Sequence, residues 1–236
     1  MLDFNKAHLA LTPVNIALNA LIEQAEPRGE NTRQYLGASS IGSECLRQIQ
    51  YDWFCDPTYP ARIRDIFNRG HFFEGVSRRR LEAIGFKFAP SWQLGFKILD
   101  GQFRGHADGL LIDGPDVPGL AYPCLWEHKA LGEKGWKALE RDGLAKAHPH
   151  YLAQVLTYQA YLNVADHPAL FTASNANSCE RLHLLVPFDP QLAQYWSDRA
   201  STVIEASRAG ELLPRFTDDR EDWCCKACQH RSRCWP

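Results

Sequence analysis

Two groups of residues in this chain have the types and spacing to do chemistry. The first is Asp108 with Glu127 and Lys129, inside the stretch Arg104 to Ala130. Gln102 to Ile112 ends in the apolar run Leu110-Leu111-Ile112. Ala121 to Ala130 follows the turn-formers Gly114, Pro115, Asp116, Pro118 and Gly119. Both read as strands, and the loop between them can set Asp108 beside Glu127 although eighteen residues intervene. Alternate side chains of a strand share a face, so Glu127 and Lys129 point one way and His128 the other. Two carboxylates and an ammonium suit a divalent cation held by hard oxygens, with the Lys binding phosphate or orienting water. Either half alone is ordinary: Glu-x-Lys is common on solvated strands, and Asp-Gly is more often a turn.

The second group is Cys225, Cys228 and Cys234, spaced C-x2-C-x5-C near the end of the chain, with Cys224 alongside. Close thiolates of this kind bind zinc or an iron–sulfur cluster, and spacing does not separate the two. Left without a metal, such cysteines are an oxidation liability. A fourth ligand is needed. Cys224 adjoins Cys225 and is awkward as a joint ligand; Cys45, Cys55, Cys124 and Cys179 remain, and Cys45, at a helix start, is the best placed.

The elements that must position these groups follow from periodicity. Pro13 to Ala25 carries Val14, Ala17, Leu18, Leu21 and Ile22 at helical spacing, and the polar stretch Glu26 to Gln34 reads as a loop. A second helix, Glu44 to Phe54, holds Cys45 in its first turn. A longer one, about Ala61 to Ile84, has Ile63, Ile66, Phe67 and Phe73 on its expected buried side. Gly70 in its middle costs about 1 kcal/mol relative to Ala, which suggests close approach of another backbone. Glu74 lies one turn further on the same face. Phe86 to Leu99 reads as a strand that turns at Asp100-Gly101 into the Gln102 strand. Glu133 to Glu140 reads as a short helix or ordered loop, and His150 to Val164 as a helix bearing a stripe of Gln154, Tyr158 and Tyr161. Leu182 to Phe188 reads as a strand and Pro190 to Ala209 as a last helix. The order helix, three strands, helix, strand implies a mixed α/β fold.

At 236 residues and 45% hydrophobic content the chain can bury one sizeable core, and its net charge of -2 gives no global signature of nucleic-acid binding. Charge is nonetheless uneven: six arginines (Arg62, Arg64, Arg69, Arg78, Arg79, Arg80) face only Asp65 and Glu74 between Ala61 and Arg80. That helix is a candidate contact for a phosphate backbone, or an ordinary solvated face. With no signal-peptide core and no membrane-length apolar run, a cytoplasmic location is expected, its eight cysteines reduced or metal-bound.

Taken together, these motifs resemble the PD-(D/E)XK nuclease superfamily. More narrowly, they are similar to the CRISPR-associated RecB-type exonucleases and their phage relatives, over about Ser39 to Cys234. The resemblance implies a restriction-endonuclease-like core with helices flanking a mixed sheet. Its parts would be a helical segment 1–60, a nuclease core 61–210 and a cluster-binding tail 211–236 packed on the first. It places the family's Asp on Asp108 and its (D/E)-x-K on Glu127-His128-Lys129. Mg²⁺ or Mn²⁺ would be held by Asp108, Glu127, the His128 backbone carbonyl and Glu74. The family usually has His where Glu74 stands, with His71 as the fallback on a different helical face; Ala107 replaces the nominal Pro. Gln154 and Tyr158 match the family's Gln-x3-Tyr and would line the DNA path, with bases stacking on Tyr158. Cys45, Cys225, Cys228 and Cys234 would hold a 4Fe–4S cluster, with Zn²⁺ as the alternative. The implied activity is metal-dependent DNA exonuclease action in phage recombination or CRISPR-type DNA processing. The implied partners are DNA and a separate helicase, recombinase or CRISPR integration protein, with no membrane. The alternative is a zinc- or cluster-stabilised nucleic-acid-binding scaffold without catalysis.

Overall fold

A computed structural model describes residues 12–25, 35–54, 59–91 and 94–236; the loop expected at Glu26 to Gln34 and Cys55 lie outside them. The centre is a five-stranded sheet in the order β2-β5-β6-β7-β8. Its members are β2 (Lys87–Phe88), β5 (Gly109–Asp113), β6 (Cys124–Leu131), β7 (Ala169–Asn175) and β8 (Arg181–Val186). The β6–β7 pair is parallel and the others antiparallel. A parallel pair needs a crossover, supplied by α4 (Glu133–Ala147) and α5 (Pro149–Tyr161). A smaller sheet, β1-β4-β3, joins β1 (Leu36–Gly37), β4 (Phe103–His106) and β3 (Gly95–Ile98).

β6 and β7 alternate strictly between two buried faces. Leu125 and Phe171 enter the main core with Val155 and Tyr158 of α5. Trp126 and Leu170 enter a second cluster with Leu81 of α3 (Ala61–Ala83). Covering on both faces is why β7 reads ALFTASN, every residue buried, without the polar alternation that marks a half-exposed strand. The fourth strand of the sequence-derived core is therefore β7, which periodicity missed, and the strand expected at Leu182 to Phe188 is the outer β8.

Other expectations change for tertiary reasons. The single strand expected from Gln102 to Ile112 is two, β4 and β5, in different sheets, because the chain crosses between sheets at Ala107-Asp108. Phe86 to Leu99 is likewise split into β2 and β3. α4 runs to Ala147, longer than expected, across a break at Gly143 (φ 74°). α1 (Pro13–Ala25) is helical but buries no residue, so it has no core-facing side. α3 buries Ala61 at its start and Ser77 and Leu81 in its later turns; between them Ile66 and Phe67, expected inside, are exposed because that part of the helix overhangs a cleft. Gly70 also faces that cleft, and an added Cβ there would meet nothing within 4 Å, so no backbone approaches it. Among the described residues no helix is long and apolar enough to cross a membrane.

α2 (Leu46–Phe54) is fixed to α6 (Pro190–Arg208) and to the tail beyond it. Buried Gln50 donates to Ser207 Oγ (3.2 Å) and the Glu211 carbonyl (2.9 Å) and accepts from Leu213 N (2.7 Å). The central strand is the sensitive point of the fold: Phe171→Ala should lower unfolding free energy by about 3–5 kcal/mol, read by denaturant titration. A loss below about 1 kcal/mol would mean that β7 does not carry the core.

Candidate active site

β5 and β6 place the predicted triad. Their register pairs Gly109 with Trp126, so Asp108, one residue further out, comes level with Glu127. Asp108 Oδ2 accepts a hydrogen bond from the His128 backbone N–H at 2.8 Å. Glu127 and Lys129 share the α5-facing side, with Lys129 Nζ 2.6 Å from Glu127 Oε1 and 5.4 Å from the centre of the Tyr151 ring. The His128 ring points to the opposite face. Its Nε2 lies 3.0 Å from Ser174 Oγ, which is 3.4 Å from Ser77 Oγ of α3. That chain of contacts ties β6 to β7 and to the helix carrying Glu74. Burial drives the His128 imidazole down to about 4, so it stays neutral.

The Glu127 carboxylate is fully buried, and its Oε2 has no hydrogen-bond partner. Burial first, and then the nearby Asp108 charge, push its pKa up to about 8. Burial works to lower that of Lys129, but the carboxylates of Glu127 and Asp108 outweigh it and hold the ammonium charged. Glu74 is also raised, by burial and then by Asp108. Asp108 thus raises the proton affinity of both Glu74 and Glu127, and carboxylates gathered this way need a cation, of which Lys129 supplies only part.

Asp108, Lys129 and Glu74 line an open cleft of about 710 Å³ with Gly70, His71, Tyr151 and Gln154, and Glu127 lies buried beside it. His71 shares the cleft with Glu74, its Nδ1 3.5 Å from Glu74 Oε2, so the two are not on separate faces as their spacing implied. Gln154 continues into a neighbouring pocket lined by Arg104, His106 and Tyr158. Tyr158 is only 3% exposed, wedged against Gly105 and Phe96, which leaves it no open ring face for base stacking. Its hydroxyl instead accepts from Gln154 Nε2 at 3.1 Å and orients that amide. Of the six arginines on α3, Arg78 lies over the Phe88 ring and pairs with Glu82, whereas Arg62 and Arg69 are exposed.

At the other end of α2, five cysteines line one small cavity: Cys45, Cys224, Cys225, Cys228 and Cys234. Cys45 sits just before the helix, its Sγ accepting from the Gln48 N–H at 3.4 Å. Cys124 is buried in the core and Cys179 is exposed, so neither belongs to the cavity. Cys224, set aside on adjacency, is part of it. Burial and then the neighbouring thiols push Cys224 up to about 11. Thiol donors gathered this way fit a soft metal. Among the described residues, however, no three His, Cys, Asp or Glu side chains stand at metal-ligating separation; at the acidic site Asp108 is drawn to His128 N and Glu127 to Lys129.

No protein-family model matches the chain, and no curated protein does. Among solved structures it is similar to an alkaline exonuclease, LHK-Exo from Laribacter hongkongensis. The TM-score is 0.52 at 14% identity, over 76% of this chain and 90% of that one. The chain shares that protein's fold. A protein designated SSO0001 aligns over 94% of this chain and 95% of its own at 12% identity, with a TM-score of 0.47.

The buried acid gives a signed pH dependence. The folded chain keeps the Glu127 proton to about pH 8, while the unfolded chain releases it near 4.5. Between those values the folded state binds more protons, so stability falls as pH rises. In EDTA, Glu127→Gln should therefore gain stability over wild type by about 1–3 kcal/mol at the upper end of the window and little at the lower end. Denaturant titrations at both ends check this, and a pH-independent difference would contradict it.

Proposed function

We propose that the chain is a divalent-metal-dependent DNA exonuclease of the PD-(D/E)XK type. The observation that carries the reading is the unpartnered, fully buried Glu127 oxygen beside a charged Lys129 and level with Asp108, next to an open cleft that Asp108, Lys129 and Glu74 line. Sharing its fold with an alkaline exonuclease supports it. Asp108, Glu127, the His128 backbone carbonyl and Glu74 are the groups that would hold Mg²⁺ or Mn²⁺, with His71 beside Glu74. Such an ion, when bound, polarises the scissile phosphate and acidifies water. The chain's own residues do the rest. Lys129, kept charged by the carboxylates around it, orients the attacking water or offsets charge growing on the phosphate. The Gln154 amide, fixed by Tyr158, borders the strand's path. Gly70 leaves the opposite wall open.

Cys45, Cys225, Cys228 and Cys234 would hold a 4Fe–4S cluster, or zinc in its place, and Cys224 is a fifth thiol in reach. Joining Cys45 to the tail closes a loop of nearly the whole described chain, where the entropy removed from the unfolded state is large. The spread of this activity into phage recombination or CRISPR-type processing, with a separate motor or integration protein, is part of the same proposal.

Cleavage of end-labelled single- and double-stranded DNA by anaerobically purified protein, with Mn²⁺, Mg²⁺ or EDTA, tests it. Lys129→Ala should lower metal-dependent cleavage by at least about 10²-fold with the fold intact. Equal behaviour of wild type and variant would leave a nucleic-acid-binding scaffold as the reading. Cys225→Ala should lose colour and solubility together; a stable variant with normal iron content would remove the cluster's structural role.

A further inference from the structure

Asp52 is shared by the two sites. Its residue lines the cleft with Glu74, Asp108 and Lys129. Its Oδ1 accepts from Gln229 Nε2 and from His230 Nε2, both at 2.7 Å. Gln229 and His230 lie between Cys228 and Cys234, and His230 itself lines the cysteine cavity, its ring 5.4 Å from that of Tyr51. α2 joins the same two places rigidly: Cys45 precedes its first turn and Asp52 closes its last full one, roughly 10 Å along the axis.

The electrostatics give this bridge a consequence. A cleft for a polyanion tolerates acids only where they are neutralised, and Asp52 has no cationic partner among the described residues other than the donors from the tail. Those donors lie in the turn between two short helices, α7 (Trp223–Ala227) and α8 (Arg231–Cys234), neither of which buries a residue, although His230 itself is buried. Little apolar surface is buried there, so the segment rests on polar contacts such as Arg215 to the Cys234 carbonyl, and a group held by its thiols would fix it further.

We infer that Asp52 is a positioning residue through which the cysteine cavity sets the affinity of the cleft for a nucleic-acid strand. With a thiolate-bound metal centre in the cavity, His230 and Gln229 hold the Asp52 charge out of the strand's path. Without it, the donors are released and the carboxylate turns into the cleft, where it repels phosphate. The inference rests on the nuclease reading for the nature of the strand, but not on catalysis.

The test measures binding of a fluorescent oligothymidylate by anisotropy with Ca²⁺, on protein purified anaerobically and on the same protein stripped by a chelator. Iron, sulfide and zinc analysis identifies the centre. Stripped wild type should bind about tenfold more weakly than loaded, a difference that shrinks at high salt. Loaded His230→Ala should show the same weakening, and Gln229→Ala, at an exposed side chain, gives the same direction should the first variant be unstable. Asp52→Asn should bind alike loaded or stripped, and should restore the affinity of His230→Ala, which a purely structural defect would not allow. Binding unaffected by stripping, or a full loss persisting in Asp52→Asn, overturns the inference and leaves the nuclease reading standing. No DNA binding in any form overturns both.

Discussion

The structure turns on a carboxylate placed where water cannot reach it. Glu127 is fully buried in the middle of the sheet, with one oxygen on Lys129 and the other on nothing. A charge in that position is costly unless paired, and one ammonium does not satisfy both oxygens. Everything nearby is arranged around that deficit. Asp108 is brought level with it by the β5–β6 register, Glu74 is presented to the adjoining cleft by α3, and Lys129 is kept charged by Glu127 and Asp108. A site built for stability alone would place an apolar residue here at less cost.

The supports behind the site are as specific as the site. The residue between Glu127 and Lys129, His128, uses its backbone N–H to hold Asp108 and its ring to hold Ser174, with Ser77 beyond. Because burial keeps that ring neutral, the contacts persist across physiological pH. The strand bearing Glu127 and Lys129 is thus tied on one side to the crossing point of the two sheets and on the other to α3. At the opposite wall, Cys45 lines the cysteine cavity just before α2, and Asp52 near the helix's other end accepts from His230 of the tail.

Much of this was legible in the chain. The helices and most strands followed from apolar period and turn residues, and Glu127, Lys129 and Asp108 from residue type and the parity of a strand. What failed did so for one reason: local pattern reports which side of an element is apolar, not what lies against it. β7 is buried on both faces and so lacks alternation; Phe67 is apolar yet exposed because α3 overhangs a cleft; Tyr158 sits in a polar-aromatic stripe yet is packed against Gly105. Gly70 shows the converse, an expense in helix propensity explained by open space rather than by contact.

The sequence by itself determined the menu: which acids and thiols exist, their spacing, and that Glu127 and Lys129 share a face, since a strand's two-residue period permits nothing else. Tertiary structure alone decided the environment. It split one expected strand across two sheets so that Asp108 falls at the crossing, drew Cys224 into the cavity with Cys45, and joined Asp52 to His230 across 178 positions of chain. Desolvation and long-range pairing are properties of what surrounds a residue, and no local window of sequence contains them.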